Sequence, residues 1–203
     1  MSSHRLPGSD FLYKVILVGD SGVGKSNILS RFVNGKKLKD PKTTIGVDVS
    51  FKTLSISCEP VSVQIWDTAG QEKYMSMSKL YYRETRGVFV VFDLTRRCTF
   101  EHIPIWLAEI QEHAQTSSAL TIPIAILGNK HDRADRAVFH SDIEKLRETV
   151  EFSYFETSAE TNYGITEAFS SLLLAIHIQG LKSYYSSKLK EEQEQCKQCC
   201  VIL

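Results

Sequence analysis

The chain has 203 residues, 42% of them hydrophobic, with 24 basic and 24 acidic side chains. That length suits one well-buried domain and is short for two. A balanced charge leaves no overall field to draw the chain to nucleic acid or to an acidic membrane, so no nucleic-acid partner is expected.

The first residues, MSSHRLPGSD, lack the apolar centre of a secretory signal. A strand is predicted over 12–18, a helix over 24–34, and strands over 48–56 and 61–66. A helix over 72–84, a strand over 87–92 and a helix over 100–115 follow. The chain then alternates a strand (122–127), a helix (140–150), a strand (152–157) and a helix (163–179). Strands this apolar, alternating with amphipathic segments, predict an α/β fold: a six-stranded, mostly parallel sheet with helices on both faces. From about Lys182 the pattern has no sustained apolar period, and a flexible linker is expected. The organisation read from this is a flexible N-terminus over 1–9, one domain over 10–180 and a flexible tail over 181–203. The longest apolar runs, GVFVVF and LLLAIHI, fall far short of the ~20 residues of a membrane span, so the chain is expected to be neither secreted nor membrane-spanning. Cys58 and Cys98 stand alone and read as structural, while Cys196, Cys199 and Cys200 crowd the end. This spacing is no disulfide framework and points to a reducing compartment.

Four predicted strands run straight into small, polar motifs, and ligands of open α/β sheets bind beyond the carboxyl ends of strands. After KVILV comes Gly19-Asp20-Ser21-Gly22-Val23-Gly24-Lys25-Ser26, a full match to G-x-x-x-x-G-K-[ST]. Its glycines let backbone N–H groups converge on phosphate oxygens at a helix N-terminus. Lys25 is placed to reach the β- and γ-phosphates and the Ser26 hydroxyl to bind Mg²⁺. After VQIW comes Asp67-Thr68-Ala69-Gly70-Gln71. A strand-end carboxylate beside a phosphate loop suits Mg²⁺, Gly70 suits a close N–H approach to a terminal phosphate, and Gln71 suits orientation of an attacking water. After IPIAIL comes Gly128-Asn129-Lys130-His131-Asp132. A carboxylate there accepts two parallel hydrogen bonds from N1–H and the 2-amino group of guanine, whereas adenine leaves it unpaired. Asn129 is placed to tie neighbouring loops together and Lys130 to lie along the nucleotide. After FSYFE comes Thr157-Ser158-Ala159, whose small side chains leave a backbone N–H free to reach the guanine O6.

In this order and spacing the motifs resemble the Ras superfamily of small GTPases over roughly residues 10–180. TTIGVD, WDTAGQE, LYYRE and the double-cysteine end resemble its Rab branch. The resemblance implies a GTP phosphohydrolase, a GTP/GDP switch that recruits effectors at the cytoplasmic face of an intracellular membrane in vesicle trafficking. It implies nucleotide contacts from Ser21, Gly22, Val23, Gly24, Lys25, Ser26, Asn27, Thr44, Gly70, Asn129, Lys130, Asp132, Ser158 and Ala159. It further implies Mg²⁺ on Ser26, Thr44 and Asp67, and catalysis through Gln71. The implied partners are a GTPase-activating protein, an exchange factor, a GDP-dissociation inhibitor and effectors. Thr44 closes the lysine-rich stretch NGKKLKDPKTTIG (34–46), which reads as a first switch ordered by the triphosphate; 71–83 reads as the second. The ending Cys200-Val201-Ile202-Leu203 matches C-a-a-X with a terminal Leu, so Cys200 is expected to carry a geranylgeranyl chain and Cys199 a second lipid. Two chains give stable anchoring where one does not.

The chain departs from the family pattern at several positions. Lys37 stands where an aromatic normally packs on guanine, Pro41 where a tyrosine lies nearer the phosphates, and Glu160 where SAK is expected. Guanine is therefore expected to be held less tightly, with faster GDP release, unless Leu38 fills the gap. Trp66 and Tyr81 match two members of an effector-facing aromatic trio, and Val49 replaces the third, a Phe. A second reading stays open from sequence, a scaffold that holds nucleotide without useful turnover; a third, an ATP-using P-loop kinase, lacks support because NKHD would have no purpose.

Overall fold

A computed structural model describes residues 11–39, 44, 46–69, 79–114 and 122–200, the last eighteen of these and residues 79 and 80 by backbone alone. Three strands come first: β1 (Phe11–Val18), β2 (Val47–Ile56) and β3 (Glu59–Thr68). β4 (Gly87–Asp93), β5 (Ile124–Asn129) and β6 (Ser153–Glu156) complete one sheet in the order β2-β3-β1-β4-β5-β6. Every neighbouring pair is parallel except β2 with β3. The predicted six-stranded, mostly parallel sheet is thus observed.

The central strands are apolar on both sides because both faces are covered. All seven residues of β4 are buried. Its Phe89 and Val91 join Val15 and Leu17 of β1 in one core beneath α1 (Lys25–Asn34) and α6 (Ile165–Cys200). Val88, Val90 and Phe92 join Ile16 and Val18 in a second core. That core lies beneath α4 (Ile103–His113) and α5 (His140–Arg147), which contribute Trp106, Leu107 and Ile143. Period-two alternation on two covered faces accounts for the continuous hydrophobic runs.

Several boundaries differ from those expected. β2 and β3 are joined by only two residues, since Ile56 pairs with Glu59. Ser57 and Cys58 sit at φ 51° and 68°, the positive values that a type I′ hairpin turn requires. Ser-Cys is not a turn signature, which is why the sequence suggested a longer loop. Cys58 and Cys98, read as structural, are both exposed free thiols. The helix expected over 100–115 is two helices, α3 (Arg97–Glu101) and α4, meeting at His102. Pro104 lies in the first turn of α4, where its missing N–H costs nothing but where it prevents an unbroken helix. Of the helix expected over 72–84, the described part is α2 (Lys79–Tyr82); the rest lies outside the described residues. α6 overruns its expected end near 179, and the linker expected beyond Lys182 is helical to Cys200. Lys, Glu, Gln and Leu propagate a helix already nucleated on the core without needing an apolar face of their own. No helix among the described residues is long and apolar enough to cross a membrane.

Candidate functional site

β1, β3, β4, β5 and β6 all end on the same edge of the sheet, and a cleft of about 460 Å³ opens there. The loop after β1 contributes Ser21, Gly22, Gly24, Lys25, Ser26 and Asn27 to its lining. The loops after β5 and β6 contribute Asn129, Lys130, Asp132, Ala159 and Glu160, and Thr44 approaches from the other side. Residues scattered over more than a hundred positions are therefore brought together. Val23 lies beneath the cleft with its side chain in the core. Gly70 and Gln71 lie outside the described residues, and Cys199 and Cys200 are described by backbone alone.

The loop after β1 has the shape that its glycines permit. Gly19 and Gly24 sit at φ 135° and 102°. A Cβ on Gly24 would lie 2.3 Å from the Asn129 amide nitrogen, so a side chain there would displace the cross-link that Asn129 makes. Asn129 donates to the Val23 carbonyl at 2.8 Å and accepts from Thr157 Oγ1 and Ala159 N, both at 3.3 Å. One buried amide thus ties the loops after β1, β5 and β6, the tying role expected of it. The Ala159 N–H, expected to face a ligand, is directed at this amide oxygen.

Lys25 is 6% exposed and donates to the carbonyls of Gly19 (2.6 Å) and Asp20 (3.0 Å). Burial pushes its pKa down to about 8, against the opposing attraction of Asp67 and Asp20. Beside it, Ser26 Oγ lies 3.0 Å from Thr44 Oγ1 and donates to Asp67 Oδ2. Asp67 is buried, and its Oδ1 finds no hydrogen-bond partner among the described residues. Two hydroxyls and a carboxylate with a spare buried oxygen form an all-oxygen donor set, which fits a hard divalent cation such as Mg²⁺. At the far end of the cleft Ser158, itself buried, donates to Asp132 Oδ1 and orients that otherwise exposed carboxylate.

The sequence reading missed a fifth strand end. Asp93 closes β4, is fully buried, and pairs with Lys130 Nζ (2.6 Å) and Arg96 Nε (3.0 Å) while accepting from Thr95 N and Oγ1. Arg96 also reaches the Ser21 carbonyl at 3.1 Å, so Asp93 braces two of the lining loops. The signal was available: VVFD is another apolar strand running into a polar residue. Burial alone would push the Asp93 pKa up, but hydrogen bonds from Lys130, Thr95 and Arg96 together prevail and hold it below the usual carboxylate range. Its stabilising contribution is therefore complete above the unfolded carboxylate pKa of about 3.9 and disappears as pH falls through the lower folded value. Asp93→Asn is expected to destabilise the fold by about 3 kcal/mol at neutral pH, since Lys130 and Arg96 lose their shared partner. Chemical unfolding with nucleotide concentration held fixed measures this, and the gap to the parent should close in acid.

Three further contacts had no sequence signal because they cross more than eighty positions. Asp20 of the first loop is held by His102 Nδ1 (2.7 Å) and Trp106 Nε1 (3.0 Å) from the start of α4. Lys37 and Glu160, two of the residues that depart from the family pattern, face one another in an ion pair. Leu38 does not fill the position of the missing aromatic: it is exposed and does not line the cleft, and its N–H donates to Asn27 Oδ1. Pro41 lies outside the described residues. Trp66 and Tyr81 sit 6.1 Å apart by ring centroid, with Lys14 Nζ 4.0 Å from the indole centre.

Comparison with known proteins is consistent across most of the chain. The Ras family model matches residues 14–178. Ras-related protein Rab2BV of Beta vulgaris is 43% identical over 169 residues, 83% of this chain and 77% of that protein. Ras-related protein Rab11C of Lotus japonicus is 43% identical over 177 residues, covering 86% and 80%. Ras-related protein RABA4a of Arabidopsis thaliana is 43% identical over 187 residues, covering 91% and 80%.

Proposed function

The chain belongs to the Ras family and is a Rab-like small GTPase; from that premise we propose that it hydrolyses GTP and acts as a GTP/GDP switch in intracellular vesicle trafficking. The observation that carries the reading is a cleft in which Asp132, oriented by Ser158, stands at one end and the Ser26–Asp67–Thr44 oxygens at the other. That span suits a purine nucleotide with its phosphates on the loop of residues 19–26. Residues 10–180 form the GTPase unit in this proposal.

Lys25 and the loop's backbone N–H groups hold the phosphates and offset their negative charge. Asp132 reads guanine, and Ser158 keeps its carboxylate turned toward the base. Thr44 ties the first switch to the phosphate end, and Gln71 orients the attacking water. Ser26, Thr44 and Asp67 would hold Mg²⁺, which would supply charge to neutralise the phosphates. No Arg occurs in residues 34–46 to act in cis, and Arg96 is engaged by Asp93 and Ser21. Intrinsic turnover is therefore slow, and a GTPase-activating partner supplies the arginine. Exchange factor, GDP-dissociation inhibitor and effectors complete the cycle. Chromatography of the nucleotide released from the purified chain, followed by single-turnover hydrolysis, tests the reading. Guanine nucleotide and a slow conversion of GTP to GDP are expected; adenine nucleotide or none would overturn it.

The 181–203 segment serves as the membrane tail, with lipid on Cys199 and Cys200. Its support is the C-a-a-X ending and the near cancellation of Lys and Glu in the tail, which leaves two lipids rather than a basic patch to hold the chain on a membrane. Intact mass from eukaryotic cells should show added prenyl mass that is absent from a Cys199→Ser/Cys200→Ser variant, with the variant lost from the membrane fraction. An unlipidated native chain would end this part of the proposal.

A further inference from the structure

Glu160 lines the nucleobase end of the cleft, and the structure joins it to Lys37, the other charged departure from the family pattern. Lys37 Nζ lies 2.8 Å from Glu160 Oε1 and 2.7 Å from Oε2, so one ammonium spans both carboxylate oxygens. Glu160 lines the cleft beside Ala159 and Asp132, whereas Lys37 belongs to the stretch 34–46 read as the first switch.

The backbone behind both partners is fastened to α1. Arg31 of α1 donates to the Ala159 carbonyl (2.8 Å) and the Glu160 carbonyl (2.7 Å) from one side of its guanidinium, and to the Gly35 carbonyl (3.3 Å) from another. Ser30 Oγ donates to the Lys36 carbonyl at 2.7 Å, and Asn27 Oδ1 accepts from Leu38 N at 3.1 Å. Lys37 is therefore held in sequence between two anchored neighbours, and Glu160 follows an anchored turn. The side chains cross from one anchored rim to the other.

We propose that Lys37 and Glu160 form an ionic clasp across the nucleobase end of the cleft, which must open before guanine nucleotide leaves and so sets its release rate. The proposal rests on the reading of the cleft as a guanine-nucleotide site. It gives the two departures from the family pattern one shared role: an electrostatic closure stands where an aromatic side chain would pack. Both members are about half exposed, with side-chain exposures of 47% and 59%. Solvent and salt therefore screen the pair, so the closure is modest and weakens as ionic strength rises. An apolar contact between an aromatic and guanine would not weaken in that way.

The test measures release of a fluorescent methylanthraniloyl-GDP from the full chain, chased with excess GDP, at low and high sodium chloride. The parent should release faster in high salt. Lys37→Glu and Glu160→Lys should each release about two- to five-fold faster than the parent in low salt, the range expected for one exposed ion pair, and should lose the salt response. The exchanged pair, Lys37→Glu with Glu160→Lys, should return to near the parental rate and regain it. Glu160→Lys is the decisive single change. A positive charge added beside an anionic nucleotide slows release if only general attraction matters, and speeds it if the clasp is broken. Slower or unchanged release from that variant, or an exchanged pair as fast as the single variants, would overturn the clasp. A chain that holds no guanine nucleotide would instead overturn the reading of the cleft, whereas bound GDP with release indifferent to these changes would refute the clasp alone.

Discussion

Asp132→Asn should lower affinity for GTP on the order of 10²–10⁴-fold while leaving the weak affinity for ATP unchanged. The carboxylate is placed to accept from both N1–H and the 2-amino group of guanine, and each hydrogen bond to a charged group contributes about 1.5–3 kcal/mol. An amide retains one acceptor but turns a donor toward the 2-amino group, so one bond is lost and two donors confront each other. Xanthine carries an oxygen in place of that amino group and should recover much of the lost affinity, which makes the change one of specificity rather than of folding. Ser158 strengthens the expectation, because its hydrogen bond already fixes the orientation of the Asp132 carboxyl. Calorimetric titration with GTP, ATP and xanthosine triphosphate measures all three. An unchanged GTP affinity would remove Asp132 from base recognition.

The second large effect concerns hydrolysis. In the presence of a GTPase-activating partner, Gln71→Leu should lose nearly all of an acceleration expected to be on the order of 10³–10⁵-fold. GTP binding should stay intact. Leucine has similar bulk but neither the carbonyl nor the amide needed to hold a water in line with the γ-phosphate. Phosphoryl transfer depends on positioning and charge stabilisation, so losing the group that positions the nucleophile removes most of the rate enhancement. Single-turnover hydrolysis with and without activator separates the two contributions. Unchanged activated turnover would assign water orientation to another residue.

Much of the architecture was legible because it is written in short-range patterns. Apolar runs such as GVFVVF can be satisfied only where both faces of a strand are covered, and β4 is buried along its whole length. The run Gly19–Ser26 and the polar groups after β3, β5 and β6 announced themselves because each follows directly on an apolar strand, and a parallel sheet brings such ends to one edge. Features with no local signature were missed. Ser57-Cys58 adopts a two-residue turn without the residues that usually mark one, since pairing of the long β2 and β3 strands imposes the backbone there. α6 continues past the core on helix propensity, which hydrophobic periodicity does not report.

Sequence by itself determined the order of the elements, the four motifs and the chemistry each residue type offers, because these depend on neighbours a few positions apart. Only the tertiary structure decided that Asp93 would brace Lys130 and Arg96, that Asn129 would hold three loops, and that Lys37 would meet Glu160 across 123 positions. Such partners are chosen by strand order and by where each loop leaves the sheet. A side chain's reach is a few ångströms, so which charges meet is settled by the path of the backbone between them.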